Sequence, residues 1–324
     1  MVESELIITY ASSSKDGFTP VALKFSFQSK SHATTQWIAK FLDLSYADSL
    51  PKKRVKVLVN PKSGRGTAKT SFSKHIEPLL TSARCSIDVV ETTQRGHGTA
   101  ILEKLDVEAF DVVIVCSGDG LAHEVFNGLG KRQDARRALR KIAIAQLPCG
   151  SGNGLSRNLN DTASVSTATL SVIKGVRKPL DLVSITQGDR RSLSFLSQAT
   201  GVAAESDIAT ENLRWMGEIR FHLGFFWRLL IKKVYPAEIS IKVVMEDKAS
   251  VLDHNEKESA VQARENQEHR FSGDVSVDSA LKCNGLPPLV YGTVKDKLPE
   301  DWMVVPRDKL GNFYCGNVSL LPFS

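Results

Sequence analysis

The sequence has little that would anchor it in a membrane, cross-link it or load it with metal. None of its 324 residues fall in a run long and uncharged enough to span a bilayer. The start, MVESELIITY, lacks the basic and apolar segments of a secretory signal. Five cysteines (Cys85, Cys116, Cys149, Cys283 and Cys315) show neither metal-ligand nor disulfide-framework spacing. Several sit in apolar runs and read as reduced core thiols, which suits a reducing compartment. Aromatics are scarce at 7% and are not interleaved with the basic residues, which argues against a nucleic-acid partner. No Gly-rich stretch ends in the Gly-Lys-Ser/Thr of a P-loop.

What is present is the composition of a globular protein, 42% hydrophobic and 24% charged. The net charge of +6 suits an anionic ligand or an anionic membrane surface. The length predicts two domains of ordinary size. Residues 1–50 read as an accessory segment with strands at Glu5–Tyr10 and Ala22–Phe27 and a helix at Thr35–Leu44.

From residue 51 to 178 apolar strands alternate with helical patterns. Strands are expected at Val55–Val59, Ile87–Glu91, Val112–Cys116 and Ile142–Leu147, each followed by a helix. That alternation predicts an α/β domain with a doubly wound parallel sheet. After Pro179 the pattern turns mainly β, with strands at Leu180–Thr186, Leu193–Ala199, Glu238–Val244, Leu289–Val294, Trp302–Val305 and Asn312–Val318. A helical stretch over Ile208–Lys233 is inserted, and residues 246–279, charged and poor in aromatics, read as a disordered insertion.

Three glycine-rich loops follow strands: Asn60-Pro61-Lys62-Ser63-Gly64-Arg65-Gly66, Ser117-Gly118-Asp119-Gly120 and Pro148-Cys149-Gly150-Ser151-Gly152-Asn153-Gly154. Ligands of such sheets bind beyond the carboxyl ends of the strands, so the loops should share one edge. Glycines there let a backbone approach phosphate, and helix starts attract it. Each loop alone is also compatible with a strand-to-helix turn, and Asp119 with an Asx turn or helix cap. Three in one sheet favour a nucleotide site.

NPKSGRG, SGDGLAHEVFNGL and PCGSGNGLSRNL resemble the nucleotide-binding loops of the diacylglycerol-kinase catalytic family. FLSQATG, AESDIATENLRWMGEIR and FHLGFFWRL resemble its sphingosine kinase, or sphingoid long-chain base kinase, branch. The resemblance implies transfer of the ATP γ-phosphate, with Mg²⁺, to the primary hydroxyl of a sphingoid base. It implies Asp119 as catalytic carboxylate. It implies nucleotide contacts from Asn60, Ser63, Gly64, Arg65, Gly66, Thr92, Ser117, Gly118, Gly120, Glu124, Gly150, Ser151, Gly152, Asn153, Arg214 and Arg220. Arg214 and Arg220 are six apart, so Gly217 between them is expected to break the helix.

Asp207, Ser197 and Glu211 match substrate positions, Asp207 as the carboxylate for the lipid's ammonium. Without the resemblance, Asp207 and Glu211 read as exposed helix acids. Diacylglycerol or ceramide kinase, or an impaired lipid-binding fragment, are the alternatives. A cytoplasmic chain with reversible membrane contact is expected, and a homodimer is compatible. The family's later Gly-Asp-Gly-Glu loop has no match here, so the lipid domain, 179–324, is expected to be incomplete at its C-terminal end.

Overall fold

Apolar side chains alternate along the central strands between two cores, which is how the sequence builds a sheet covered on both faces. The computed structural model describes residues 4–15, 17–27, 32–175, 177–216, 219–231, 234–271 and 285–317. The chain opens with an antiparallel hairpin, β1 (Ser4–Ser14) and β2 (Gly17–Phe27), followed by helix α1 (His32–Tyr46). Next come β3 (Arg54–Val59), α2 (Ala68–Ser71), a π turn (Phe72–Ile76), α3 (Glu77–Ser82), β4 (Ser86–Glu91) and α4 (His97–Glu103). The domain continues through β5 (Val112–Ser117), α5 (Asp119–Gly130), α6 (Ala135–Lys141), β6 (Ala143–Pro148), α7 (Gly154–Asn160) and α8 (Val165–Lys174). Strands β4-β3-β5-β6 form one sheet, every pair parallel, as the alternation predicts.

Val55, Val57, Val59, Val112, Ile114 and Cys116 face one core, closed by Phe72, Ile76, Leu79, Leu80, Ala168 and Ile173. Leu58, Val113 and Val115 face the other, closed by Leu102, Leu121, Val125, Phe126, Leu129, Leu155 and Phe195. Each such aliphatic contributes roughly 1.5–3 kcal/mol when fully buried. The hairpin seats on the first face, where the Phe18 amide donates to the Ser166 hydroxyl at 2.9 Å. Gly17, at φ +115°, leaves room there: a Cβ would lie 2.1 Å from Ser166 Oγ. Among the described residues the cysteines are free thiols, and Cys283 lies outside them. Burial, with a hydrogen bond to Cys149, pushes the Cys116 thiol well up, so it stays neutral beneath the loops.

At the amino edge of the sheet Asp111 accepts from the Arg54 amide (2.8 Å), Nε (3.1 Å) and Nη2 (2.7 Å). Burial alone would raise the Asp111 pKa, but these hydrogen bonds outweigh it and hold the carboxyl below its ordinary value. Because the folded pKa is the lower one, this stabilisation is complete above the unfolded value, about 3.9. It is lost as pH falls through the folded value. Acid unfolding of Asp111→Asn should therefore be flatter than wild type below about pH 4. At pH 7 we expect a cost of about 1 kcal/mol, discounted for the exposed guanidinium, by urea titration at both pH values.

The second half contains β7 (Val183–Gln187) and β8 (Arg190–Ser194), β9 (Ser197–Gly201), α9 (Val202–Ala209), a 3₁₀ turn (Glu211–Met216) and α10 (Ile219–Ile231). Then follow β10 (Ala237–Ile241), α11 (Lys248–Phe271), β11 (Met303–Arg307) and β12 (Asn312–Gly316). Among the described residues the pairs β7-β8, β9-β12 and β10-β11 are antiparallel two-stranded sheets.

Four expectations are corrected here. The Leu193–Ala199 strand is two, because Phe195 turns into the second core and ends the first ladder. The Ile208–Lys233 helix begins earlier, at Val202, and breaks at Leu213, whose φ and ψ of −99° and 20° are not helical; Lys232 and Lys233 lie outside the described residues. Leu289–Val294 is no strand: Pro287 and Pro288 precede it, Gly292 sits at φ +70°, and the Thr293 amide folds back to Asp296 at 2.7 Å. Much of 246–279 is helix α11, over 248–271. That stretch has no glycine or proline and is rich in Ala, Glu, Lys, Gln and Arg, so intrinsic propensity holds it without an apolar stripe. Asp247 caps it, accepting from the Ala249 and Ser250 amides at 2.9 Å each. Residues 272–279 lie outside the described residues.

Candidate active site

The three glycine-rich loops meet at the carboxyl edge of the sheet because β3, β5 and β6 are adjacent and in register. Ser63, 6% exposed, joins the first two: its Oγ accepts from Ser117 Oγ (3.0 Å) and from the Gly118 amide (3.2 Å). The Asn60 amide donates to the Cys116 carbonyl at 3.2 Å, and its Oδ1 accepts from the Lys62 amide at 3.0 Å. The second and third loops touch backbone to backbone. A Cβ on Gly150 would lie 2.2 Å from Gly118 Cα, and one on Gly118 would lie 2.7 Å from the Gly152 carbonyl oxygen. Gly64, at φ +58°, brings the first loop against the third, 3.0 Å from the Cys149 carbonyl oxygen by the same measure. Gly66, at φ +76°, turns the chain toward α2.

Asp119 is the first residue of α5, and its carboxylate reaches the third loop. Oδ2 accepts from the Gly154 amide (2.9 Å) and Oδ1 from the Leu155 amide (3.0 Å), the first two amides of α7. The start of α7 therefore faces this carboxylate, an arrangement that suits an anion. Asn153 closes its own loop, accepting from the Gly150 amide and donating to the Gly150 carbonyl, both at 2.9 Å. Among the described residues the amides of Gly64, Arg65, Ser151 and Gly152 serve no hydrogen bond within the protein. Together with the glycine cradle, which any Cβ would fill, these donors fit a phosphate chain. Arg65 is exposed at the rim, and around Gly120 a Cβ would meet nothing within 4 Å.

Two expected nucleotide residues bond within the protein. Glu124 accepts from the Gly96 and Gly98 amides, at 2.9 Å each, and so fixes the loop before α4. Thr92, 7% exposed, donates its hydroxyl to the Val59 carbonyl at 3.4 Å.

In the second half Ser197 opens β9 directly after Leu196, whose side chain lies 2.9 Å from where a Gly154 Cβ would stand. Asp207 and Arg220 pair with each other: Nη2 to Oδ1 is 2.8 Å, and Nη1 reaches the Asp207 carbonyl and Thr210 Oγ1 at 3.2 Å each. Arg220 is 4% exposed, so the structure sets it against Asp207 rather than open to solvent. The side chains of Glu211 and Arg214, and Gly217 altogether, lie outside the described residues. Sequence reasoning passed over Gln146, 0% exposed, whose Oε1 accepts from the Ser156 amide (2.8 Å) and whose Nε2 donates to the Ser117 carbonyl (3.3 Å). Its signal was a lone amide inside the apolar strand AIAQLP.

Residues 54–185 match the family model for the diacylglycerol kinase catalytic domain. The chain is 40% identical over 221 residues to sphingoid long chain base kinase 5 of Saccharomyces cerevisiae, covering 67% of this chain and 32% of that protein. It is 35% identical over 253 residues to sphingoid long chain base kinase 4 of Schizosaccharomyces pombe, covering 75% of this chain and 55% of that protein. A crystal structure of a putative diacylglycerol kinase from Bacillus anthracis aligns with a TM-score of 0.47 at 23% identity, over 60% of this chain and 62% of that one. The chain thus spans between a third and about half the length of these curated relatives. The loops that converge on Asp119 all lie within the span, residues 54–185, that matches the diacylglycerol kinase catalytic domain, in a chain similar to the sphingoid base kinases.

Proposed function

We propose that the chain phosphorylates the primary hydroxyl of a sphingoid base with ATP. The observation that carries this is the meeting of three glycine-lined loops around one carboxylate, Asp119, with unused amides beside it. The similarity to sphingoid long chain base kinases supports the lipid class. When bound, the Mg²⁺-carrying triphosphate supplies the transferable phosphoryl group and charge neutralisation. Among the described residues no three His, Cys, Asp or Glu side chains cluster as metal ligands. The residues' own work is positioning: Ser63, Gly64, Arg65, Ser151 and Gly152 hold phosphate oxygens, and Asp119 accepts the hydroxyl proton.

Asp207 would receive the lipid's ammonium. Its side chain is 54% exposed, and its Oδ2 has no hydrogen-bond partner among the described residues, while Arg220 occupies Oδ1. Arg220 then balances the carboxylate until the ammonium arrives, and Ser197 lines the path from Leu196. Reversible membrane contact is supported by α10, which exposes Phe226, Trp227 and Leu230. Among the described residues no helix is long and apolar enough to cross a membrane.

The test is transfer of labelled γ-phosphate to sphingosine or to diacylglycerol, with wild type and Asp207→Asn. Labelled sphingosine with wild type, and a loss of about tenfold or more confined to the sphingoid base with Asp207→Asn, is expected for a lost charge-assisted contact. Equal loss on both lipids would remove Asp207 from amine recognition. Label on diacylglycerol alone would overturn the proposal.

A further inference from the structure

The half that would bind lipid is moored to the helix that carries Asp119 at one side chain, Asn127. Its Nδ2 donates to the Leu193 carbonyl and its Oδ1 accepts from the Leu193 amide, each at 2.9 Å. Nδ2 also donates to the His123 carbonyl one turn back, at 2.8 Å. An amide side chain carries a donor and an acceptor side by side, so it can answer both backbone atoms of a single residue with two parallel bonds. Here it stands in for a neighbouring strand along the edge of β8 that β7 leaves open.

The same helix face completes the mooring. Gly130, one turn on, makes room for Leu193, since a Cβ there would lie 2.7 Å from Leu193 Cδ1. Phe126 packs on Phe195 with ring centroids 5.0 Å apart. Leu193 and Phe195 are 4% and 3% exposed. From Phe195 the chain runs through Leu196, beside Gly154, into β9 and then α9, which carries Asp207. Apolar packing alone allows a strand to slide along a helix. Two hydrogen bonds to one residue fix its register.

We propose that Asn127 is a positioning residue, setting where the Asp207 end of the lipid site sits relative to Asp119. This rests on the reading of the chain as a sphingoid base kinase and adds a residue to that site. Asn127 touches neither substrate in this account. Its loss should leave the three phosphate loops in place, because Ser63, Gly118 and Gly150 hold one another directly.

The experiment is steady-state kinetics of Asn127→Asp and Asn127→Leu with sphingosine and ATP varied separately, beside amide exchange of residues 190–201. Asp keeps the bond from the Leu193 amide but sets an acceptor against its carbonyl; Leu removes both bonds. The expected result is a fall in kcat/KM for sphingosine of about tenfold for Asp and more for Leu, as for one and two lost buried hydrogen bonds. The KM for ATP should stay within about twofold of wild type, and the Leu193 amide should exchange faster in Asn127→Leu. A merely structural role would lower both substrates' parameters together, and that parallel loss overturns the proposal. So would unchanged sphingosine kinetics with either variant. If wild type phosphorylates no sphingoid base, the functional reading fails instead. Sphingosine binding by Asn127→Asp and wild type, with the exchange data, then decides the mooring, equal affinity and equal exchange overturning it.

Discussion

Asp119→Asn should cut kcat by about 10²–10⁴-fold, the usual contribution of a positioned general base. The substitution is isosteric, so the loops keep their shape, but the amide cannot accept a proton from a lipid hydroxyl. It also changes the tie to α7. The carboxylate accepts from both the Gly154 and Leu155 amides, and an asparagine offers only one acceptor oxygen. Its NH₂ would meet the other backbone N–H, leaving a partly buried donor unsatisfied at about 1–3 kcal/mol. Stability and turnover must therefore be measured together. A melting-temperature drop of a few degrees with most of the turnover lost is the expected pair. If stability falls while turnover survives, Asp119 is a helix-capping residue and nothing more.

That ambiguity was already present in the sequence, where a carboxylate between glycines reads as a base but also allows a turn or cap residue. In the structure the carboxylate accepts from the first two amides of α7, which places it at the edge the three loops share. The parallel sheet was legible for a plain reason. Runs such as Val112–Cys116, apolar at every position, short and followed by Ser-Gly-Asp-Gly, read as a strand covered on both faces, and the two cores divide its side chains alternately. The loops were legible because glycine carries its own signature, and their spacing after strands placed them on one edge.

Other features left no local trace. Nothing in FLSQATG says that Phe195 leaves the ladder to meet Phe126, since that depends on a ring contributed by a helix some seventy residues earlier. The Asp207–Arg220 pair joins residues thirteen apart across a helix break, so no helical periodicity predicts it. Glu124 read as a nucleotide contact because it lies on the right helix. Only coordinates show its carboxylate occupied by the Gly96 and Gly98 amides. Helix α11 misled in another way, since a charge-rich composition suits solvated helix and disordered chain alike.

Gly150→Ala should be the most damaging change in the phosphate cradle. An added Cβ would stand 2.2 Å from Gly118 Cα and 2.4 Å from Gly118 N, and neither neighbour is a side chain that can swing aside. Carbon atoms in contact sit about 3.5–4 Å apart, so the second and third loops must separate by roughly 1–2 Å. That movement breaks the bonds from the Gly118 amide to Ser63 Oγ and from the Asp119 amide to the Gly152 carbonyl. Overpacking of this kind costs typically 1–3 kcal/mol, and the unfilled amides at the edge lose their common aim. We expect ATP affinity, measured by calorimetry or by KM, to fall at least about tenfold, with a clear loss of melting temperature. Gly311→Ala is the matched control, because a Cβ at that position meets nothing within 4 Å. Wild-type ATP affinity in Gly150→Ala would mean that the contact between these loops has no part in holding a triphosphate. The nucleotide would then have to bind elsewhere on the sheet edge, and the place assigned to Asp119 beside it would fall with that result.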